Sequence, residues 1–489
     1  MLRRSFLLGA GGLALPAAAQ DTPFPFGIAS GCPRPTSVVL WTRAATAGPV
    51  GWEIAEDERL QRVVARGTAT AEPRWAQSVH VDVAGLRPGR SYWYRFTSNG
   101  AASPVGRTRT APDPATTPAG LRFVIASCQQ YEQGYFAAWR HAAAEQLDAV
   151  LFVGDYIYEM SWGRNLVRHH TGGRCTLLDE YRERYAQYKS DPDLQTAHAA
   201  HPWIVTWDDH EVTDDYTGDI GPIDPDPARF LKQRAAAYQA YWEHMPLPNA
   251  LRPGGPSMRL YDRYRFGTLA ELVTLDDRQY RSHHACRETL TRGKPLENCA
   301  ERLDPNRTML GVEQEAWFAD GMRRASARWN VVAQQTLMAE RDRGPGERHV
   351  YWADGWDGYP VARQRLLDAV AASPVKDTLV LGGDVHSFWA ADLKQDFERP
   401  ASATVATEFV GGSITSQGPS ADRVHGYLAK NPHIRAASSG VFGFGLVTLD
   451  AKKADVSFRT LADVRDPKST IGIHDRFVVE AGRPGVVRD

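Results

Sequence analysis

Four short stretches of the 489-residue chain place metal-binding side chains directly after apolar runs. They are Cys128 in "IASCQ", Asp155 and Tyr158 in "GDYIYE", Asp208, Asp209 and His210 in "WDDHE", and Asp384 and His386 in "GGDVHS". Apolar runs such as Thr378 to Leu381 suit strands covered on both faces, and α/β sheets gather ligands outside the carboxyl ends of their strands. Taken singly, each residue has a plainer reading: an inert buried thiol, a hydrogen-bonded core tyrosine, an aspartate capping a turn. Together they point to cations, because burying the charges of "WDDHE" without a partner is costly. The donor types fall into two sets. A thiolate, a phenolate, a carboxylate and an imidazole suit a redox-capable transition metal such as ferric iron, whereas carboxylates with water suit Ca²⁺, Mg²⁺ or Mn²⁺. One shared carboxylate is able to bridge the two.

The elements that must hold these residues follow from periodicity. Residues 21–112 carry short alternating runs separated by turn residues, among them "SVVLWTRA", "SVHVDVAGL" and "SYWYRFTS". That pattern predicts an antiparallel sandwich, and "LRPGRSYWYRF" resembles the turn and strand of a fibronectin type III-like domain, with its Tyr and Trp between the sheets. Residues 113–120 lie in a Pro-rich connector. In 121–489 apolar strands alternate with helical stretches: "LRFVIASC", "LDAVLFVGDYIYE", "PWIVTWDDHE", "WNVVAQQT" and "DTLVLGGDVHS", with helices at "GYFAAWRHAAAEQL" and "VARQRLLDAVAAS". This argues for a layered α/β domain with a C-terminal tail, and later strands without intervening helices predict mixed sheets.

Composition narrows the class. The chain is 43% apolar, enough for a large core and more than one domain, and its formal net charge of -1 leaves no global field for nucleic acid or acidic membranes. Residues 1–20 read as a signal segment: Arg3 and Arg4, a short apolar stretch broken by glycines, then Ala17 to Ala19. The pair followed by Ser5, Phe6 and Leu7 resembles a twin-arginine export signal, which implies the twin-arginine export machinery as a partner and a periplasmic or secreted protein. Nothing after it reads as a membrane span. Of five cysteines, Cys286 and Cys299 flank a polar loop and are the nearest candidates for a disulfide, with Cys32 and Cys175 left unpaired.

Six motifs in order, "FVIASCQ", "GDYIYE", "WDDHE", "LDDRQYR", "MLGVEQEAWF" and "GGDVHS", behind a sandwich and an export signal, make the chain similar to the PhoD-like alkaline phosphatases of the metallophosphoesterase superfamily. The resemblance implies a four-layer αββα catalytic domain that hydrolyses phosphate monoesters or diesters at Fe³⁺ with Ca²⁺. By motif, Cys128, Asp155, Tyr158 and His386 would hold iron, with Asp155 bridging, and Asp209 and Asp384 would face calcium with Asp208 as an additional ligand. Asp384 and Asp209 stand where the broader superfamily has His and Asn, a change toward carboxylates that favours a hard second ion.

The chemistry expected of such a centre is in-line attack of a metal-bound hydroxide on a phosphate ester. His210 is the candidate to protonate the leaving oxygen, and Arg278 offers a planar fork to phosphate oxygens, its alternative being a salt bridge to Asp276 or Asp277. The pairs His169, His170 and His283, His284 read as solvated loop residues, and Trp317, Phe318 and Met322 as helix core. Two other classes compete: a catalytically dead surface or carbohydrate-binding protein, and another exported metallohydrolase or an iron redox enzyme. The full ligand set argues against the first, and the lack of a haem or iron–sulfur cysteine motif against the redox version.

Overall fold

Continuous apolar runs become strands buried on both faces. The structure is a computed structural model that describes residues 22–224, 226–287 and 292–489; the signal segment lies outside the described residues. Leu121–Ala126, Ala149–Val153 and Pro202–Thr206 pair in parallel, and Gly443–Leu449 joins the first of them antiparallel. They form the middle of a ten-stranded mixed sheet. A seven-stranded sheet faces it, with Ala270–Thr274, Trp329–Ala333, Thr378–Gly382 and Thr404–Gly411 parallel at its centre.

Strand alternation decides what each face covers. Leu379 and Leu381 enter the core between the sheets, where Phe123 meets Phe266 with ring centroids 5.2 Å apart. Val380 turns the other way, to Phe318, Met322 and Leu366 on the helices Gly311–Arg323 and Pro360–Ala372. On the far side of the ten-stranded sheet, Phe152 packs against Trp139 of the helix Ala137–Ala144. The helices Leu178–Lys189, Pro192–Ala200 and Pro227–His244 add Tyr181, Leu194 and Tyr238 to the same core. The result is the expected αββα stack.

The N-terminal segment is a sandwich, but one of its two sheets is not its own. Gly48–Ala55, Val63–Ala71, Ser91–Ser98 and Gly106–Arg109 form a separate sheet. Ile28–Gly31, Ser37–Arg43 and Ser78–Ala84 instead extend the ten-stranded sheet, through a parallel pairing of Ser30 with Pro202 and Gly31 with Trp203. Val38, Leu40, Val81, Ile54, Tyr94 and Phe96 fill the space between them. Period-two alternation corrects one expectation here: Tyr92 and Tyr94 are buried, while Trp93 points to the opposite face and is only half-buried. The Tyr92 hydroxyl accepts from the Arg87 amide at 2.8 Å and pins the turn before the strand.

The C-terminal residues are also strands: Ile471–Glu480 and Arg483–Arg488 finish the sheet beside Lys453–Leu461. Cys286 and Cys299 are disulfide-bonded, and Cys32, Cys128 and Cys175 are free and buried. Among the described residues no helix is long and apolar enough to cross a membrane.

The seam between sandwich and α/β layers needs close backbone approach at Gly31. A Cβ there would stand 2.5 Å from the Pro246 carbonyl oxygen and 2.8 Å from that of Trp203. Gly31→Ala is therefore expected to cost about 1–3 kcal/mol and to lower the unfolding midpoint in a denaturant titration. An unchanged midpoint would show that the seam opens freely.

Candidate metal centre

Four of the seven metal-ligand candidates sit where the chain turns sharply as it leaves the sheet. Cys128, Asp155, Asp384 and His386 have φ of +58°, +59°, +60° and +49°, a left-handed conformation that non-glycine residues rarely adopt. Such strain concentrates at functional sites. Gly154, at φ +107°, makes one of these turns possible: a Cβ there would lie 2.3 Å from the Cβ of Asp208. The loops after Ala149–Val153 and Pro202–Thr206 are thereby brought into contact.

Three overlapping clusters of ligand atoms result, each with all atoms within 4.8 Å of one another: Cys128, Asp155 and His386; Asp155, Asp209 and His210; Asp209, Asp214 and Asp215. Asp155 is common to the first two and Asp209 to the last two. The Tyr158 hydroxyl joins the first cluster, 2.9 Å from Asp155 Oδ2 and 3.1 Å from His386 Nε2, and accepts from Ser416 Oγ at 2.7 Å. His386 donates through Nδ1 to the Gln417 carbonyl at 2.9 Å, which leaves Nε2 turned to the cluster as a ligand nitrogen. Trp162 stacks on the His386 ring with centroids 5.6 Å apart.

His210 lies against the Tyr158 ring and meets Glu159 Oε2 through Nδ1 at 2.7 Å. Burial disfavours its charge, but Asp209, Glu159 and Asp155 outweigh burial and hold its pKa well above the ordinary histidine value. Glu211 accepts from the amides of Asp155 at 3.0 Å and Asp208 at 2.7 Å, so one buried carboxylate fixes two ligand-bearing loops.

The remaining candidates fall elsewhere. Asp384 stands outside the three clusters and accepts from Thr336 Oγ1 at 2.5 Å. Asp208 accepts from Arg278 Nε. Arg278 does not present a free fork to a phosphate: it is fully buried, Nη1 donates to Asp354 Oδ1 at 2.8 Å, and Nη2 lies 3.5 Å from Asp209 Oδ1. Its acidic partners are Asp208, Asp209 and Asp354 instead of the adjacent Asp276 or Asp277; from Arg278, Asp276 accepts the backbone amide and no side-chain nitrogen. The reason is geometric, since the strand end aims the side chain across the crevice.

Sequence reasoning missed Glu159, Glu211, Asp214, Asp215 and Asp354. The first four sit inside or just after quoted motifs, where their spacing from Tyr158 and His210 was the available signal. Asp354 carried none, because Arg278, Arg281 and His284 reach it from a distant segment. One histidine of each loop pair is buried, contrary to expectation. His170 bonds the Tyr188 hydroxyl, burial pushing its pKa down to about 3, and His284 bonds Asp354 at 2.8 Å; His169 and His283 stay exposed.

The donor set fits metal ions on its own chemistry. Asp155 Oδ1, Asp208 Oδ2 and Asp209 Oδ1 are buried without a hydrogen-bond partner. Burial raises Asp208 well above the carboxylate range and Asp384 to about 6 against the pull of Arg278, and it raises Glu211 to about 8 with Asp155 adding to the shift. Burial, reinforced by Asp155, also lifts the Cys128 thiol and the Tyr158 phenol, so that thiolate and phenolate forms require a nearby cation.

Two packed mixed sheets with a carboxylate-rich crevice at their strand ends define a layered α/β protein of the hydrolase type. The chain belongs to the PhoD-like phosphatase family: residues 123–458 match the PhoD-like phosphatase domain, and 11–112 match the PhoD-like phosphatase N-terminal domain. It is 40% identical to alkaline phosphatase D of Bacillus subtilis (strain 168) over 521 aligned residues, covering 99% of this chain and 88% of that one. A solved PhoD structure superposes with a TM-score of 0.91 at 41% identity, covering 95% and 92% of the two chains.

A metal-stripped sample exposes the charge balance. Asp384 and Glu211 bind protons more tightly folded, at about 6 and about 8, than at their ordinary values of 3.8 and 4.5. These two groups thus hold more protons in the folded state through this window, and the stability they contribute falls as pH rises. The expected result is that chelated protein melts at lower temperature at pH 8 than at pH 5, and that added Ca²⁺ or Fe³⁺ reverses the loss. A chelated protein whose melting temperature rises across that window would contradict the charge balance.

Proposed function

We propose that the chain is an exported, metal-dependent phosphoesterase that hydrolyses phosphate monoesters, diesters or both, using iron and calcium. Its family membership makes it a phosphoric ester hydrolase; the finer reading rests on the site. The observation that carries it is the sharing of Asp155 between a cluster with sulfur and imidazole donors and a cluster with carboxylates. Cys128, Tyr158 and His386 supply the soft and anionic donors that suit ferric iron, and Asp209 with Asp214 and Asp215 supplies the oxygens that suit calcium. Asp384 and Asp208 belong to the hard side of the crevice.

Bound ions would supply Lewis acidity, lowering the pKa of a water and offsetting the charge that develops on phosphorus. The chain's own residues do the rest. Glu159 holds His210 in one orientation and favours its protonated form, so His210 is the group that delivers a proton to the leaving oxygen. Glu211 and Arg278 keep the loops bearing Asp155, Asp208 and Asp209 in register. Trp162 covers one face of the His386 ring.

The test is metal content and the visible spectrum of the protein exported with its own signal. About one iron per chain with a tyrosinate-to-iron band, together with calcium, is the expected result. Cys128→Ala and Asp155→Ala should each lower phosphatase activity at least ~100-fold, the first with loss of the band and the second with loss of both metals. Full activity in either variant, or zinc alone in the active protein, would end this assignment.

Export by the twin-arginine route is supported by Arg3 and Arg4 ahead of a short, glycine-broken apolar stretch. Replacing both arginines by lysine should leave active protein in the cytoplasm. Unchanged appearance outside it would mean a different route.

A further inference from the structure

Next to the metal centre lies a cavity whose charge is opposite to that of the crevice. Its volume is about 210 Å³, its inner end is bounded by Asp384 and His386, and its wall carries Arg341, Arg343 and Arg423. We propose that these three arginines form a subsite for a second anionic group, a phosphate or carboxylate, carried by the same substrate whose phosphate ester meets the metal centre. This rests on the phosphoesterase reading and adds a specificity determinant to it.

The case begins with how the arginines are held. Arg341 is 6% exposed and its Nε has no hydrogen-bond partner; the Nε of Arg343 is also buried and unpartnered. Both guanidinium groups lie against aromatic rings, Arg341 5.1 Å from Trp389 and Arg343 4.7 Å from Trp352. Arg423, exposed on the helix Ala421–Leu428, donates Nε to the neutral Tyr427 hydroxyl at 2.8 Å. Among the described residues, no carboxylate within salt-bridge distance neutralises any of the three, whereas Arg278, Arg281 and Arg363 are each paired.

The acidic groups that face the cavity are already engaged. Asp357 Oδ1 accepts from Arg363 Nη1 at 2.7 Å, and its Oδ2 accepts the Arg341 backbone amide at 3.1 Å. Asp384 faces the metal side. Burial, with the Arg341 charge beside it, pulls Arg343 down to about 9, and burial lowers Arg341 as well, Asp357 opposing the shift in both and Asp384 in Arg341. A buried guanidinium kept from carboxylates, resting on an aromatic ring, is a donor set waiting for an anion.

Size and position select the occupant. The volume is below the roughly 300 Å³ of a pocket for a drug-sized molecule, so it suits one tetrahedral or planar anion. Because the cavity shares Asp384 and His386 with the ligand side, that anion belongs a few bonds from the scissile phosphate, on the same molecule.

Two p-nitrophenyl phosphodiesters separate this from simple phosphate affinity: the 3-phosphonopropyl ester, whose carbon–phosphorus bond resists hydrolysis, and the 4-hydroxybutyl ester, whose alkyl chain ends in an uncharged hydroxyl. The expected kcat/KM ratio favours the phosphonate by about tenfold or more. Arg423→Gln, on an exposed helix face, and Arg341→Gln, checked for folding by near-ultraviolet dichroism, should each bring the ratio toward one. Equal turnover of the two esters by the wild-type protein, or a ratio preserved in Arg423→Gln and in folded Arg341→Gln, overturns the subsite. Should neither ester nor p-nitrophenyl phosphate be hydrolysed, the phosphoesterase reading fails; should only the monoester be, that reading stands, and in both cases calorimetry decides the subsite. Propane-1,3-bisphosphonate binding about tenfold tighter than methylphosphonate, with the difference lost in Arg423→Gln, supports it; equal affinities refute it.

Discussion

The rest of the structure depends on a concentration of buried carboxylates that the protein alone leaves unneutralised. Asp155, Asp208, Asp209 and Asp384 converge at the strand ends, opposed chiefly by Arg278 and the histidines. Left alone, such groups would take up protons or drive the loops apart. The fold resists this by over-determining their positions. Glu211 ties the Asp155 and Asp208 loops together, Arg278 clamps Asp208 to Asp354, and Gln335 donates to the Trp207 and Leu275 carbonyls across the two sheets. The left-handed turns are held by contacts of their own: Glu211 on the Asp155 amide, the Gly154 carbonyl on the Cys128 amide, Thr336 on Asp384 and the Gln417 carbonyl on His386.

Sheet order makes that convergence possible. The loops bearing Cys128, Asp155 and Asp208 follow three adjacent parallel strands of one sheet, and the segments bearing Arg278, Gln335 and Asp384 follow three adjacent parallel strands of the other. Parallel neighbours deliver their carboxyl ends to the same edge, so two face-to-face sheets bring six segments to one crevice. The sandwich belongs to this arrangement mechanically. Its strand Ile28–Gly31 pairs with Pro202–Thr206, the strand whose exit carries Asp208, Asp209 and His210. A disturbance of the sandwich seam therefore reaches the metal side without crossing a flexible linker.

Much of this was legible because it depends on local pattern. Apolar runs such as "LRFVIA", "AVLFV" and "TLVLG" can only be doubly covered strands, and the polar residues after them can only sit at the sheet's rim. The Cys286–Cys299 pair was legible from proximity along the chain. What escaped depends on distance in space. The sharing of a sheet between sandwich and α/β layers is invisible to a period-two pattern, which says that a strand exists and not what it pairs with. The helix Pro227–His244 does leave a local mark in the sequence, Asp226 as cap with Pro227 in the first turn. Arg278 was legible as a functional arginine and illegible in its role, because its partner Asp354 is 76 residues away.

The two kinds of arginine explain how one crevice can attract cations and phosphate at once. Arg278 is bound to Asp208 and Asp354, so giving it to a substrate would strand two buried carboxylates and cost more than the new contact returns. It neutralises ligand carboxylates that would otherwise repel one another, and so governs how many positive charges the crevice still needs. Arg341 and Arg343 rest on tryptophans and Arg423 on a neutral phenol, with no carboxylate to surrender. Donors of that kind are free to meet an incoming anion without breaking an existing pair. On the proposed reading, separating the carboxylate-paired arginine from the unpaired ones would let the carboxylates collect ions on one side of Asp384 while substrate charge is received on the other.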